Sequence, residues 1–105
     1  MDVLLLAGGA FILAGIIMHF FPPKKINSIY GYRTVRSMKN QNTWDFAQKY
    51  SAKLLLGIGA ALQLASTIYY LFTIEGLAQL IINACLIIGA VVFVFVKTEN
   101  TLKNI

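Results

Sequence analysis

Three long apolar runs dominate the chain, and one polar stretch, Pro22–Lys53, separates the first run from the other two. The first run, Val3–Phe21, carries His19 as its single polar side chain; the second is Leu54–Ile74 and the third Leu77–Val96. About 20 helical residues cross the hydrocarbon core of a bilayer, so each run is long enough to span it once. Backbone groups in lipid have no water to bond, which makes a helix the form such a run must take. The pattern predicts an all-α integral membrane three-helix bundle, one domain over residues 1–105, with spans at 3–21, 54–74 and 77–96 and a polar loop at 22–53. Pro22 and Pro23 end the first helix, because Pro23 has no N–H to donate and turns Pro22 away from helical angles. Between the second and third runs stand only Glu75 and Gly76. Glycine permits a tight turn there and the carboxylate belongs outside hydrocarbon, so the two runs form an antiparallel hairpin. A short polar tail, Lys97–Ile105, follows.

Composition supports lipid as the solvent. Hydrophobic residues make up 58% of the chain and charged ones 12%, against about 25% charged in ordinary soluble proteins. A globule this small has too little interior for so much Leu, Ile, Val and Phe. The net charge is +5, and Lys24, Lys25, Arg33, Arg36, Lys39, Lys49 and Lys53 in the polar stretch face one acid there, Asp45. A basic loop between spans stays cytoplasmic. The N-terminus and the Glu75 turn are therefore expected outside, and the tail with Lys97 and Lys103 inside. Basic residues flanking apolar spans suit anionic membrane lipids rather than nucleic acid. The first run lacks the basic start and small-residue cleavage site of a signal peptide and reads as a retained anchor. Cys85, the lone cysteine, can form no internal disulfide and reads as a small core residue.

From Asn42 onward the polar stretch turns helical. Asn42 is the expected N-cap, with Asp45 three residues later near the positive end of the helix dipole. On a helical wheel Asp45, Gln48, Lys49 and Lys53 share one arc, and Trp44, Phe46, Ala47, Tyr50, Ser51 and Leu54 the other. No break precedes the second apolar run, so one helix of roughly 45 Å should run from Thr43 to Thr73, longer than the hydrocarbon is thick. Within the spans, Gly57, Ala61 and Ala65 form a small-residue stripe, and Ala10/Ala14 and Cys85/Gly89 form similar pairs that would let helices approach closely. Gln63 lies near the middle of the second span and Asn83 within the third. They read as interhelical hydrogen-bonding groups or, in a different role, as the polar lining of a path.

The remaining loop carries Gly31 between Tyr30 and Tyr32, where a turn or a close backbone approach is expected. Ser28, Thr34, Ser37 and Asn40 suit local capping. Ile26, Ile29, Tyr30, Tyr32 and Met38 argue that the loop packs on the membrane face or back against the bundle. Gly31-Tyr32-Arg33-Thr34, then Ser37-Met38, Asn40 and Trp44, with Asn27 upstream, a span before and a helical hairpin after, resembles the SdpI family of bacterial membrane proteins. The resemblance covers most of the chain and implies a role in immunity: the member that names the family protects its producer from a secreted antimicrobial peptide toxin and takes part in sensing it. Longer relatives carry a further membrane region ahead of this module, so this chain resembles the minimal module. Many members have a histidine one turn after the tryptophan, where this chain has Gln48.

The residues carried over by the resemblance are Asn27, Gly31, Tyr32, Arg33, Thr34, Ser37, Asn40 and Trp44. Arg33 could tie the loop to helix-end carbonyls or to Asp45, or could grip a lipid phosphate or a peptide carboxylate. Trp44 suits the membrane interface. The chain has no HExxH, CxxC or phosphate loop and no paired carboxylates, so neither catalysis, a metal nor a cofactor is expected. The expected partners are anionic lipids, a peptide toxin or another membrane protein, and further copies of the chain. The rival to immunity is an oligomeric channel or transport subunit lined by Gln63 and Asn83.

Overall fold

The structure, a computed structural model, describes residues 3–72 and 76–104. Its three helices are α1 (Val3–Phe20), α2 (Gln41–Phe72) and α3 (Leu77–Leu102). Each is long and apolar enough to cross a membrane, and no strand occurs among the described residues. This is the predicted all-α helical bundle. The molecule is 48 Å long, close to the roughly 40–45 Å of a bilayer with its headgroups.

Two helix boundaries differ from expectation. α2 starts at Gln41 rather than Thr43, and the side chain that caps it is Asn40, not Asn42: Asn40 Oδ1 accepts from the Thr43 N–H at 2.9 Å. α3 continues to Leu102, so most of the expected polar tail is helical. The continuation has a packing reason. Ala90, Val94, Thr98 and Leu102, four apart, form one buried stripe on α3, and that stripe passes unchanged through the polar composition.

α1 and α2 meet backbone to backbone. A Cβ added at Gly8 would lie 2.9 Å from the Gly59 carbonyl oxygen, and one at Gly59 would lie 2.8 Å from that of Gly8. Further along the seam, a Cβ at Gly15 would sit 3.0 Å from the Ala52 carbonyl oxygen. Without a hydrophobic drive between spans, close approach and dispersion must hold helices together, and small residues permit both. The principle was expected, but at other positions. A Cβ at Gly57 or Gly89 would meet nothing within 4 Å. Ala61, Ala65, Cys85 and Gly89 instead border an open groove of about 280 Å³ between α2 and α3, and Cys85 is exposed rather than core.

Leu4, Leu62, Tyr69 and Ala90, drawn from all three helices, form the buried apolar cluster, with Phe11, Ile58 and Ile87 packed against it. Leu6, Leu13, Leu64, Leu71, Leu80 and Ile88 point outward, where lipid tails would meet them. Gly76, expected to permit a tight turn, has φ +79°, a positive value that glycine adopts without strain. Glu75, the other half of that turn, lies outside the described residues.

Candidate functional site

The segment between α1 and α2 folds on itself through two successive reciprocal boxes. Thr34 N–H donates to Ser37 Oγ at 2.7 Å while Ser37 N–H donates to Thr34 Oγ1 at 3.2 Å. Asn40 N–H donates to Thr43 Oγ1 at 3.1 Å, answering the Asn40 cap on Thr43. Each box pairs short polar side chains three residues apart with N–H groups that a turn or helix start leaves free. The Thr43 hydroxyl also lies 3.2 Å from the Ser37 carbonyl oxygen, linking the boxes. Upstream, Asn27 Oδ1 accepts from the N–H groups of Ile29 and Tyr30, an Asx turn, and its amide donates to the Lys25 carbonyl.

This loop is fastened to α2 by two buried side chains. Trp44 is completely buried and donates its indole N–H to the Pro23 carbonyl at 2.7 Å. It is a core residue, not the interface anchor expected of it. Gln48, expected on the charged arc, is also buried. The buried face of α2 there is Thr43, Trp44, Ala47, Gln48, Ser51 and Ala52, which cuts between the two arcs of the wheel. Gln48 clamps Tyr32 at both backbone groups: Oε1 accepts from the Tyr32 N–H at 2.7 Å and Nε2 donates to its carbonyl at 2.8 Å. A primary amide can satisfy both at once because it carries a donor and an acceptor side by side. The clamp needs Gly31. That residue has φ +108°, and a Cβ there would fall 2.6 Å from Gln48 Oε1 and 2.7 Å from Pro23 Cγ.

Tyr32 carries the connection on to α3. Its phenol donates to Glu99 Oε1 at 2.8 Å, with the Phe95 carbonyl 3.3 Å away. Arg36 Nη1 lies 3.5 Å from the other Glu99 oxygen, forming an ion pair. Burial raises the Tyr32 pKa well above its ordinary 10.0, and the hydrogen bond to the Glu99 carboxylate and its charge add to the rise. The Thr34 and Thr98 hydroxyls oppose it with smaller effect.

Arg33 is the exception among the motif residues. It is exposed and donates through Nη1 to the Ser28 carbonyl. Asp45, the partner considered for it, accepts instead from Gln41 Nε2 at 2.7 Å. The loop does turn back on the bundle through Pro23 and Tyr32, yet Ile29 and Val35 point away and are 86% and 91% exposed.

Directly beneath the motif lies an apolar cavity of about 300 Å³, with Gly31 and Tyr32 on one side. Phe11 and Met18 from α1, Leu55 from α2, and Val91 and Phe95 from α3 line it. All three helices thus meet the motif around one apolar space at membrane depth.

Deeper in the spans, Gln63 Nε2 donates to the Leu5 carbonyl of α1 at 3.2 Å, an interhelical hydrogen bond. Asn83 is buried on α3. Gln63 Oε1, Tyr69 Oη and Asn83 Oδ1 are buried with no hydrogen-bond partner among the described residues. No cluster of three or more metal-ligating side chains occurs among the described residues.

A family model described as the SdpI/YfhL protein family matches residues 24–104. The chain belongs to that family. It is 45% identical over 104 residues to an uncharacterized protein, YfhL, of Bacillus subtilis (strain 168), covering 94% of this chain and 84% of that one. No solved structure matches. Three apolar helices and membership of the SdpI/YfhL family together make this a multi-pass membrane protein. The motif that carried the resemblance is therefore largely an internal framework of the SdpI-type module. Asn27, Thr34, Ser37, Asn40 and Trp44 hold backbone groups, Gly31 makes room, and Tyr32 bridges α2 to α3.

Three contributors were not singled out from sequence, Pro23 as acceptor, Thr43 and Glu99, and Gln48 was noted only on the charged arc and as standing where many relatives have a histidine. Asn40-x-x-Thr43 has box spacing and could have been found. The four-residue stripe from Ala90 to Leu102 pointed to a longer α3 that carries Glu99 to the loop.

Proposed function

We propose that this protein gives immunity against a secreted antimicrobial peptide toxin, binding within the membrane either the toxin or a membrane partner that the toxin affects. Membership of the SdpI/YfhL family over residues 24–104 carries the reading, since immunity is the role the SdpI resemblance implies. The apolar cavity under Gly31 and Tyr32 supports it physically. An apolar segment of a membrane-active peptide, or of a partner span, is the chemistry such a space accepts. A site at membrane depth also removes a difficulty of orientation. By the positive-inside rule the end holding the motif is cytoplasmic, with the N-terminus outside and the C-terminus inside, whereas a secreted toxin arrives from outside. Binding between helices lets it enter laterally through lipid. No catalytic role is proposed, because the polar side chains of the motif are engaged in ties within the loop.

The test is expression of the chain in a bacterium sensitive to a peptide toxin encoded beside its gene. Resistance is expected. Val91→Trp, which fills the cavity from an exposed lining position, should abolish it while the protein stays in the membrane at the same level. Arg33→Ala should also abolish resistance if the exposed guanidinium meets the ligand. Absence of protection by the unaltered protein would sink the reading.

The second reading, a channel or transport subunit, draws on the unpartnered polar atoms of Gln63, Tyr69 and Asn83 inside the spans. It requires Gln63→Leu and Asn83→Leu to change flux in liposomes while Val91→Trp does not.

A further inference from the structure

A further cavity, of about 240 Å³, opens where the end of α3 meets the start of α2. Arg36, Lys39 and Lys103 line it, together with Asn40, Asn42 and Thr43. Three cations from separate parts of the chain converge here: the 34–38 turn, the residue before the α2 cap, and the residue after α3. No acidic side chain lines the cavity among the described residues. Among the described residues the compensating charge is Glu99, which pairs with Arg36 at 3.5 Å through one oxygen while its other oxygen accepts from Tyr32. One carboxylate against three cations leaves the cleft with a net charge of about +2 at neutral pH. Asp45 does not help, since it bonds Gln41 and lines a different cavity with Lys24 and Lys49.

We propose that this cleft binds a phosphate group. A guanidinium fork and two ammonium groups facing one space match the several oxygens of a phosphate, with Arg36 able to donate to two of them at once. The depth fits as well. Leu102 lies six residues past Val96, so the end of α3 stands about 9 Å beyond the hydrocarbon edge. The headgroup layer is about 5–8 Å thick on each side. The cleft therefore sits at the outer margin of the lipid phosphates, open both to a headgroup and to phosphate in solution. The site is independent of the apolar cavity, and its failure would leave the immunity reading untouched.

The experiment uses the purified full-length protein with two probes. Nanodiscs of phosphatidylcholine with added phosphatidylglycerol, read by native mass spectrometry, report the lipid source. Inorganic phosphate titrated by calorimetry into protein in a neutral maltoside detergent reports the soluble source. Each cation removed should weaken whichever probe binds by about fivefold. Lys39→Gln with Lys103→Gln leaves the Arg36–Glu99 pair intact and should cost about 25-fold; adding Arg36→Gln should cost more. The control, Lys24→Gln with Lys25→Gln, removes the same charge outside the cleft and should change inorganic phosphate binding by less than about twofold, and phosphatidylglycerol binding by less than the cleft double variant does. Binding of phosphatidylglycerol alone identifies a lipid headgroup, and binding of inorganic phosphate a soluble ligand. The proposal is overturned if the unaltered protein binds neither probe, if the double variant loses less than about fivefold, or if the control loses as much.

Discussion

α1 and α2 are joined differently from the way α3 is joined to either. Along the α1–α2 seam the contacts are backbone to backbone, at Gly8 with Gly59 and at Gly15 with Ala52. α3 presents no such contact at its own glycine, Gly89. Its C-terminal end is held by polar groups, Tyr32 and Arg36 on Glu99, and the two apolar spaces described above border it. A backbone seam cannot open slightly, because dispersion falls off within a fraction of an ångström. A side-chain tether to a helix end can. The α1–α2 pair with its clamped loop is therefore the more tightly joined part of the molecule, and α3 the more loosely joined one.

The strongest way to break that contrast is at the seam. Gly59→Val places a side chain 2.8 Å from a backbone oxygen that cannot move aside, and should cost at least about 3 kcal/mol or prevent folding. Gly89→Ala on α3 should instead be neutral or stabilising by up to about 1 kcal/mol, from helix propensity alone. Thermal unfolding of both in detergent checks the pair, and equal losses would erase the distinction.

Next comes the loop. Gly31→Ala meets both a positive φ and the Gln48 amide, and about 2–3 kcal/mol is expected. Gln48→Leu leaves both backbone groups of Tyr32 without their partner and should cost about 2 kcal/mol. Limited proteolysis should then cut the 26–36 segment faster in both variants, leaving the α1–α2 pair intact.

The smallest effect belongs to the α3 tether. Glu99→Gln should cost about 1 kcal/mol or less, as the Arg36 partner is well exposed. Its signature is in titration rather than stability. The Tyr32 pKa is raised on folding above its ordinary 10.0, so the neutral phenol contributes stability that is complete below that value and is lost as pH climbs through the raised one. In the unaltered protein, α3 should loosen only above about pH 10. In the Glu99→Gln variant the phenolate should form at lower pH, though still above the ordinary value because burial persists, and its ultraviolet absorbance reports the shift. An unchanged titration would mean that Glu99 does not set the position of Tyr32.

Helical spans, their number, the proline stop and the family motif could be read from the chain directly. Each depends on local properties: a run of about 20 apolar residues has one stable form in lipid whatever its neighbours are, and Pro23 ends a helix by its own covalent structure. Even the sense of the small-residue rule was legible, though not its positions. Which glycines touch depends on how two helices rotate about their axes, and Gly57 and Gly59 differ by two residues and a whole face. The same reason hid the roles of Trp44 and Gln48. A wheel sorts residues by polarity, but a buried amide is favourable wherever the loop supplies a backbone N–H and a carbonyl, and that loop arrives from 16 residues upstream. Glu99 looked like part of a polar tail because nothing local holds it. Only the assembled bundle, bringing Tyr32 and Arg36 to the end of α3, decides that the third span has a tether.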